Sequence, residues 1–352
     1  MSEVNVRPVD PDIAEIYSRF FDGVPVCAET IDTSRGDSDF RNTVIITSED
    51  GEKRVLKIVS NDFTYPDRIR VWQRTVGEYR ALGYYCPRIL NDLHGGFPTV
   101  RFRERECVVY AEEFSKYPSL EDETSCMEKD LPEIYARYIK DIWSMTAKIA
   151  AKKLDYSPFP SAYCLFEKFC PSDKTDEVLE NALEWKRLAD SLPEEHSERV
   201  QRIWRLWCKN REELEELYKR LPTSVFQADL NPTNLLIDEG GNFKGVMDFN
   251  LCGREVFLNY LMRENNSGSI PEALKISSEY YVFSEEEKQA ALPLYRCLKP
   301  LWWTAVRELE DAGSDGEKIR KCLDEAEARL TEDIDFRSCM ERIEDDKANG
   351  EN

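Results

Sequence analysis

The chain has 352 residues, of which 41% are hydrophobic, and its 48 Lys and Arg against 69 Asp and Glu give a net charge of −21. This length predicts about two packed domains, and the hydrophobic content is too high for a wholly disordered chain. A chain this acidic repels the phosphates of nucleic acids, so we expect no nucleic-acid partner.

The first third of the sequence is rich in β-strand patterns. Residues 43–47 and 54–59 flank an Asp-Gly turn, which predicts a β-hairpin. Shorter strand-like runs follow it, interrupted by one helix predicted over residues 69–84. The pattern predicts a small antiparallel sheet carrying one helix, in an N-terminal domain of residues 1–114.

Beyond this region, helical spacing dominates. Apolar residues recur three and four positions apart over residues 134–149, 200–221 and 284–340. We therefore expect a larger, mostly helical C-terminal domain of residues 115–352. The fold class predicted for the whole chain is α+β.

Residues 224–249 are the exception within the helical region, because they contain short strand patterns. The apolar runs 235–238 and 244–247 surround a Gly-Gly loop, which predicts a second hairpin. The simplest register for this hairpin pairs Asp238 with Lys244.

That register has a chemical consequence at the open end of the hairpin. It aligns Leu236 with Val246 and places Asn234 opposite Asp248, with Cα atoms about 4.5–5.5 Å apart. An amide oxygen and a carboxylate would then converge. Such hard oxygen ligands suit Mg²⁺, which takes few protein ligands and completes its shell with phosphate and water.

Asp229 lies five residues before Asn234, on a loop that Pro232 stiffens. An ionised Asp there could accept a hydroxyl proton and orient that oxygen for in-line attack on a phosphoryl group. The alternative interpretation is that Asp229, Asn234 and Asp248 only cap turns, as Asp and Asn often do.

Residues 226–237 and 245–250 together resemble the catalytic and metal-binding loops of the aminoglycoside phosphotransferase and choline kinase superfamily, which has a protein-kinase-like fold. The resemblance implies that Asp229 is the catalytic base, and that Asn234 and Asp248 hold Mg²⁺. The sequence departs from the family pattern H-x-D-x-x-x-x-N at Gln227, where the family has His. A Gln can still form a hydrogen bond, and an impaired enzyme is the alternative.

The first domain offers a candidate phosphate ligand, Lys57, which follows the predicted hairpin turn. Its position is similar to that of the strand-three Lys of kinase-like folds, which binds the α- and β-phosphates. The expected carboxylate partner of that Lys is Glu78, on the predicted helix. The alternatives are a solvent-facing Lys57 and an ordinary exposed Glu78.

The remaining nucleotide contacts are predicted by position. The loop over residues 34–40 has one glycine, and we expect its backbone with Ser34 and Ser38 to cover the phosphates. Residues 110–114 correspond to the hinge that binds the purine edge through its backbone, with Glu113 as the predicted contact.

The acceptor is expected to bind against helices of the second domain, near the catalytic loop. Carboxylates and aromatic rings there could hold an ammonium group. The alternative is that the Trp residues belong to the core and the Glu residues are solvated. The candidate side chains are Glu255, Glu264, Trp302, Trp303 and Glu308.

The cysteine pattern bears on cellular location. The 11 Cys residues include no Cys-x-x-Cys pair, and only two His residues are present. This argues against structural zinc and against a secreted disulfide framework. We find no signal-peptide pattern and no apolar run of about 18 residues, so we expect a cytoplasmic protein without a membrane partner.

These observations predict a Mg²⁺-dependent small-molecule kinase. It would transfer the γ-phosphate of ATP or GTP to a hydroxyl of an acceptor such as an aminoglycoside, a choline-like alcohol or a sugar. A pseudokinase that binds nucleotide or acts as a scaffold is the alternative, and the lack of a His-Arg-Asp loop counts against a protein kinase. The acceptor, the choice of ATP or GTP and the oligomeric state are left open.

Overall fold

The computed structural model describes residues 9–121, 131–173 and 175–341. The chain forms two compact units, and each consists of several segments. The first unit comprises Met1–Tyr138, Cys170–Ser172 and Asp229–Gly253, and the second Ile139–Phe169, Asp173–Ala228 and Arg254–Asn352. The segment with the predicted metal ligands thus belongs to the same unit as the N-terminal strands. The division into domains of residues 1–114 and 115–352 stays a prediction.

A six-stranded sheet forms the centre of the first unit, in the order β1-β2-β3-β6-β4, with β5 also paired to β6. Its strand pairs are all antiparallel. The strands are β1 (Pro25–Asp32), β2 (Phe40–Ser48), β3 (Lys53–Ser60), β4 (Ile89–Leu90), β5 (Thr99–Phe102) and β6 (Arg105–Glu113). The predicted antiparallel sheet and its first hairpin are confirmed.

Two helices accompany this sheet. The predicted helix is confirmed as α2 (Pro66–Ala81), whereas α1 (Pro11–Ser18) was not predicted. The start of α1 has a recognisable signal, because Pro11 occupies its first turn and the Asp10 carboxylate accepts the Asp12 N–H at 3.0 Å.

The two faces of the sheet differ in chemistry. Side chains alternate along a strand, so Leu56 and Ile58 point away from Lys57 and lie in a core with α1. Lys57 pairs directly with Tyr110 across β3 and β6, which places both on the opposite face. Trp72 of α2 packs edge-on against Tyr110, with ring centroids 6.0 Å apart. The helix and the candidate Lys therefore share one face.

The second predicted hairpin exists as β8 (Leu235–Ile237) and β9 (Phe243–Val246). Its register differs from our prediction, because Leu236 pairs with Gly245 and not with Val246. An irregularity in the ladder after Leu236 absorbs the extra residue. The predicted register is thus wrong by one residue.

The shift keeps the predicted contact at the loop end of this hairpin and moves the contact at the open end by one residue. Asp238 and Lys244 meet through an ion pair of 2.7 Å between their side chains. At the open end, the Met247 N–H donates to the Asn234 carbonyl at 2.9 Å. Asn234 is consequently opposite Met247, and Asp248 follows one residue later.

Gly245 lies where β9 meets the segment after α2. The Tyr85 N–H donates to the Lys244 carbonyl at 2.7 Å, and the Val246 N–H donates to the Tyr85 carbonyl at 3.1 Å. A Cβ atom on Gly245 would lie 1.8 Å from the Tyr85 carbonyl oxygen. Only glycine allows this approach, which fixes the hairpin to the end of α2.

We expect Gly245→Ala to lower the free energy of unfolding by about 2–3 kcal/mol, because the backbone must move to relieve the clash. Chemical denaturation measures the change. The matched control is Gly77→Ala on α2, where an added Cβ meets nothing within 4 Å. The control should be neutral or stabilising by up to about 1 kcal/mol. Equal stability of the two variants would contradict the close approach.

The second unit is mostly helical, as predicted. Trp207 joins two of its helices by donating its indole N–H to the Cys297 carbonyl at 3.0 Å. Within the described part of the chain, no helix combines the length and apolar character needed to cross a bilayer. The helices are α3 (Leu131–Ala150), which begins in the first unit, α4 (Glu177–Ala189), α5 (Ser197–Tyr218), α6 (Phe257–Glu264), α7 (Ile270–Ser277), α8 (Glu285–Leu298), α9 (Trp303–Ala312) and α10 (Gly316–Thr331), and two short strands, β7 (Thr223–Phe226) and β10 (Gly253–Val256), pair with each other.

Candidate active site

Asp229 lies on the loop before β8 and is half-buried. Its two carboxylate oxygens accept hydrogen bonds from the amides of Asn231, at 3.0 Å, and Asn234, at 3.2 Å. The loop backbone is also held, because the Tyr135 hydroxyl donates to the Leu230 carbonyl at 3.0 Å. Neutral donors of this kind favour the ionised carboxylate, which is the form a proton acceptor needs.

Asn234 is buried, and its amide has a fixed orientation. The amide nitrogen donates to the Asp229 carbonyl at 2.8 Å as well as to its carboxylate. The Asn234 amide oxygen is therefore directed away from Asp229, where it accepts a long hydrogen bond of 3.3 Å from the Thr233 hydroxyl. This oxygen is the one that could bind a metal ion.

Asp248 has an unusual backbone conformation, with φ 58° and ψ 73°. This left-handed region is costly for most residues, although Asp tolerates it better than branched or bulky residues do. The next residue, Phe249, is buried and packs edge-on against Tyr79 of α2, with centroids 5.4 Å apart. The left-handed turn places Asp248 in the wall of a cavity, and the packing of Phe249 on Tyr79 holds the turn in place.

Lys57 lies in the electric field of two carboxylates. Burial disfavours its charged form, but Asp248 and then Glu112 outweigh burial and raise the pKa of Lys57 above its ordinary value. Burial raises the pKa of Glu112, and Lys57 acts in the opposite direction. Lys57 is consequently a cation at neutral pH, beside the predicted metal ligand Asp248.

A cavity of about 210 Å³ lies next to these groups, with Lys57, Tyr110 and Asp248 in its wall. Arg35 and Arg41 add positive charge to the wall. Arg41 is paired with Asp39, so Lys57 and Arg35 are the cations that favour a phosphate-bearing ligand at this place.

The loop before β2 contributes to this cavity through residues we did not predict. Thr33 and Arg35 line it, whereas Ser34 accepts the Arg41 N–H at 3.0 Å and Ser38 is exposed. The expected phosphate contacts of Ser34 and Ser38 stay predictions. Their neighbours could not be chosen from sequence, because the side chains that face inwards depend on the turn geometry.

Glu113 lies at the end of β6, and its backbone N–H donates to the Arg88 carbonyl at 3.0 Å. Its carboxylate is 3.6 Å from both Arg80 and Arg88. A purine contact by Glu113 would therefore have to use its carbonyl, and it stays a prediction. Glu78 is half-buried on α2, and its pairing with Lys57 also stays a prediction.

Glu112 is a carboxylate whose charge acts on Lys57, after Asp248, and sequence reasoning missed it. Alternation along β6 places Glu112 and Tyr110 on one face, and only the pairing of β6 with β3 makes that face the Lys57 face. We had assigned residues 110–114 to hinge backbone and left their side chains uninterpreted.

The candidate acceptor side chains have different environments within the second unit. Glu255 is wholly buried and accepts hydrogen bonds from the Val256 N–H at 2.8 Å and the Asn259 amide at 3.0 Å. It is therefore an internal group and not the exposed wall that we expected. Glu264 pairs with Arg263 at 2.7 Å, Trp303 is 43% exposed, Glu308 is exposed and Trp302 is half-buried.

Asn234 and Asp248 offer an amide oxygen and a carboxylate oxygen, and such hard ligands fit Mg²⁺ better than a transition metal. In the described ranges, no group of three or more His, Cys, Asp or Glu side chains could hold a metal ion. A Mg²⁺ ion bound with nucleotide needs only one or two protein oxygens, since phosphate and water supply the rest. Asn234 and Asp248 match that requirement.

A loop carboxylate, an adjacent amide and a Lys beside a cavity are the features expected of a kinase-type phosphotransferase that acts on a hydroxyl group. The chain belongs to the phosphotransferase enzyme family (APH), whose sequence model matches residues 32–257. It matches no curated protein sequence.

The chain has a protein-kinase-like fold, as its similarity to the solved structure of an amicoumacin kinase shows. An amicoumacin kinase in complex with AMP-PNP and Ca²⁺ is 11% identical, with a TM-score of 0.50, over 92% of this chain and 93% of that one. A microcompartment-associated aminopropanol kinase is 15% identical, with a TM-score of 0.49, over 91% and 95%. An aminoglycoside phosphotransferase from Alicyclobacillus acidocaldarius is 14% identical, with a TM-score of 0.48, over 97% and 99%.

Proposed function

We propose that this protein is a Mg²⁺-dependent kinase that transfers the γ-phosphate of ATP or GTP to a hydroxyl group of a small molecule. The observation that carries the proposal is the chain of contacts from Asp229 to Asn234 and on to Met247. Through these contacts, the hydrogen-bonded carboxylate of Asp229 and the amide of Asn234 lie beside the turn that contains Asp248.

Each residue has a distinct part in the proposed reaction. Asp229 orients the acceptor hydroxyl and takes its proton as the oxygen attacks the γ-phosphorus. Lys57 binds phosphate oxygens, and its positive charge is maintained by Asp248 and Glu112. Asn234 and Asp248 would hold Mg²⁺. Neutralisation of the β- and γ-phosphate charge is what the bound ion supplies there.

The acceptor class that we favour is a small hydroxylated molecule, with an aminoglycoside, a choline-like alcohol and a sugar as candidates. The acidic composition of the chain supports a cationic member of this class. The similar structures include kinases whose names refer to amicoumacin and aminopropanol. We also propose a cytoplasmic location, since buried Cys86 and Cys252 are free thiols.

The proposal is tested by incubating the purified protein with labelled ATP or GTP, Mg²⁺ and a panel of aminoglycosides, amino alcohols and sugars. Label transfer to one acceptor class, abolished by EDTA, is the expected result. Nucleotide binding without transfer to any acceptor would instead favour a pseudokinase. The observation behind that alternative is Gln227, which is wholly buried at the position where the family has His.

We expect Lys57→Met to lower kcat/KM for the nucleotide by about 100-fold or more, because a preorganised cation on the phosphates is lost. Steady-state kinetics at saturating acceptor measure the effect. The control is Lys53→Met, which removes an exposed Lys from the same strand and should leave kcat/KM within a factor of two to three. Equal kinetics for the two variants would show Lys57 to be a structural residue.

A further inference from the structure

The wall of the cavity beside Lys57 includes parts of two loops of the first unit. The β1–β2 loop (residues 33–39) contributes Arg35 among others, and the β3–α2 loop (residues 61–65) contributes Asn61 among others. Both loops belong to the same compact unit. The shape of the cavity therefore depends on how these two loops are held against each other.

The carboxylate of Asp39 joins the two loops. Its Oδ1 atom accepts the Asn61 amide at 2.9 Å and the Nε of Arg41 at 2.7 Å, and its Oδ2 atom accepts the Nη2 of Arg41. The Asn61 amide oxygen in turn accepts the N–H groups of Phe63 and Thr64, at 3.2 and 2.8 Å. We call the contacts among Asp39, Arg41 and Asn61 the Asp39 bracket.

The Asp39 bracket is partly shielded from water, because the side chains of Asp39 and Arg41 are only 17% and 16% exposed. Burial acts to raise the pKa of Asp39, but the hydrogen bonds from Arg41 and Asn61 outweigh burial and lower that pKa below its ordinary value. Asp39 is consequently ionised at neutral pH. Hydrogen bonds to an ionised carboxylate are stronger than those between neutral groups, so the bracket is a firm link.

The β1–β2 loop is also held by bonds outside the bracket. The Arg35 N–H donates to the Asp39 carbonyl at 2.9 Å, which closes the loop on itself. At its tip, the Arg105 side chain at the start of β6 donates to the Asp37 carbonyl at 2.7 Å. A loop tied in this way has little conformational freedom to lose when a ligand binds, which lowers the entropic cost of binding.

The composition of the loop gives this order a purpose. Kinase-like folds commonly cover the phosphates with a glycine-rich loop. Residues 33–39 contain a single glycine, Gly36, whose φ of 86° allows the turn at the tip. A loop with one glycine adapts less readily to a ligand, so it has to hold the covering conformation in advance.

We propose that Asp39 is a positioning residue for nucleotide binding, which holds the β1–β2 loop over the phosphates through Arg41 and Asn61 before the nucleotide arrives. This inference rests on the proposed function. It gives Asp39 an effect opposite in sign to that of its charge. Removing an anion near the cavity would, by Coulomb's law alone, tighten the binding of a triphosphate, whereas loss of positioning weakens it.

The test measures nucleotide affinity by calorimetry with Mg²⁺, using whichever of ATP and GTP the wild-type protein binds more tightly. In Asp39→Asn an amide nitrogen must face a donor, Arg41 or Asn61, so the bracket opens. We expect the Kd to rise about 5- to 20-fold, although a negative charge has been removed. Asn61→Ala breaks the same link without a change of charge and should weaken binding to a similar extent.

Two controls separate positioning from charge and from general damage. Asp62→Asn removes the same charge from an exposed neighbouring position and should leave the Kd within about twofold. The corresponding nucleoside carries no phosphate, so its affinity should change by less than about twofold in Asp39→Asn. Unchanged or tighter nucleotide binding in Asp39→Asn would overturn the inference, as would an equal loss of affinity for the nucleoside.

If Asp39→Asn and Asn61→Ala fail to fold, hydrogen–deuterium exchange of the wild-type protein decides. The amides of residues 33–41 should be protected before nucleotide is added, and nucleotide should slow their exchange by no more than about threefold further. Protection that arises only with nucleotide would overturn the inference. A wild-type protein that binds no nucleotide would overturn both the inference and the proposed function. Nucleotide binding without phosphoryl transfer, together with the expected loss in Asp39→Asn, would refute the proposed function and support the inference.

Discussion

Asp248→Asn is expected to lower kcat by at least about 1,000-fold, because it removes the only carboxylate among the two proposed Mg²⁺ ligands, and metal stabilisation of phosphoryl transfer is worth several kcal/mol. The substitution is nearly isosteric. Asn also tolerates the left-handed backbone found at this position, where φ is 58°. The fold should therefore survive, and the far-UV circular dichroism spectrum should be unchanged.

A second measurement separates loss of the metal from loss of the fold. In the wild-type protein, ATP should raise the unfolding temperature more with Mg²⁺ than with EDTA, because ligand binding stabilises the native state. That Mg²⁺-dependent increment should disappear in Asp248→Asn. The control is Asp62→Asn, an exposed Asp in the same unit, which should keep both the increment and the activity. Wild-type turnover in Asp248→Asn would remove this residue from the metal site.

In the first unit, local sequence patterns predicted the β2–β3 hairpin and the face of Lys57 but not the role of Glu112. The Asp-Gly turn predicted the β2–β3 hairpin, and strand alternation then fixed the face of Lys57. Both features depend on short-range rules that one chain segment obeys alone. Glu112 was missed because it became relevant only when β6 paired with β3, and that pairing joins residues far apart in the sequence.

The β8–β9 hairpin marks the limit of such rules. Its existence was predicted, but its register was wrong by one residue. An irregularity in the ladder and the backbone contact between Gly245 and Tyr85 set the register, and neither is encoded in the hairpin's own alternation. Asn234 was predicted opposite Asp248 and lies instead opposite Met247, whose N–H bonds to the Asn234 carbonyl. The shared Mg²⁺ site of Asn234 and Asp248 stays a prediction.

Arg263 and Asn259 illustrate what the sequence could not supply. In the printed chain they are ordinary polar residues of an apolar helix, near Glu255 and Glu264, which we had considered instead. Both are buried, and each has one polar atom without a hydrogen-bond partner among the described residues, which are properties of the packed unit. Hydrogen-bond satisfaction can be counted only after the neighbours from distant segments are known.

Asp229→Asn is expected to lower kcat by about 100- to 10,000-fold while leaving nucleotide binding intact, since a general base contributes that much and an amide cannot take the hydroxyl proton. The substitution keeps the size of the side chain, although an amide nitrogen would then face one of the donors, Asn231 or Asn234. We expect a cost of about 1 kcal/mol in stability from that mismatch. Rapid-mixing measurements of product formation at saturating acceptor would give the effect on the chemical step.

Comparison of Asp229→Asn with Asp248→Asn and Asn231→Ala distinguishes a proton acceptor from a metal ligand and from a residue that only organises the loop. Asp229→Asn should retain the Mg²⁺-dependent increment in unfolding temperature that Asp248→Asn loses, because it removes the proton acceptor and not a metal ligand. Asn231→Ala, which removes one hydrogen bond to the Asp229 carboxylate, should lower kcat by only about 3- to 10-fold, consistent with a bond of about 1 kcal/mol. If Asp229→Asn instead abolished Mg²⁺-dependent nucleotide binding and Asn231→Ala matched its loss of kcat, the carboxylate would be organising the loop and not accepting a proton.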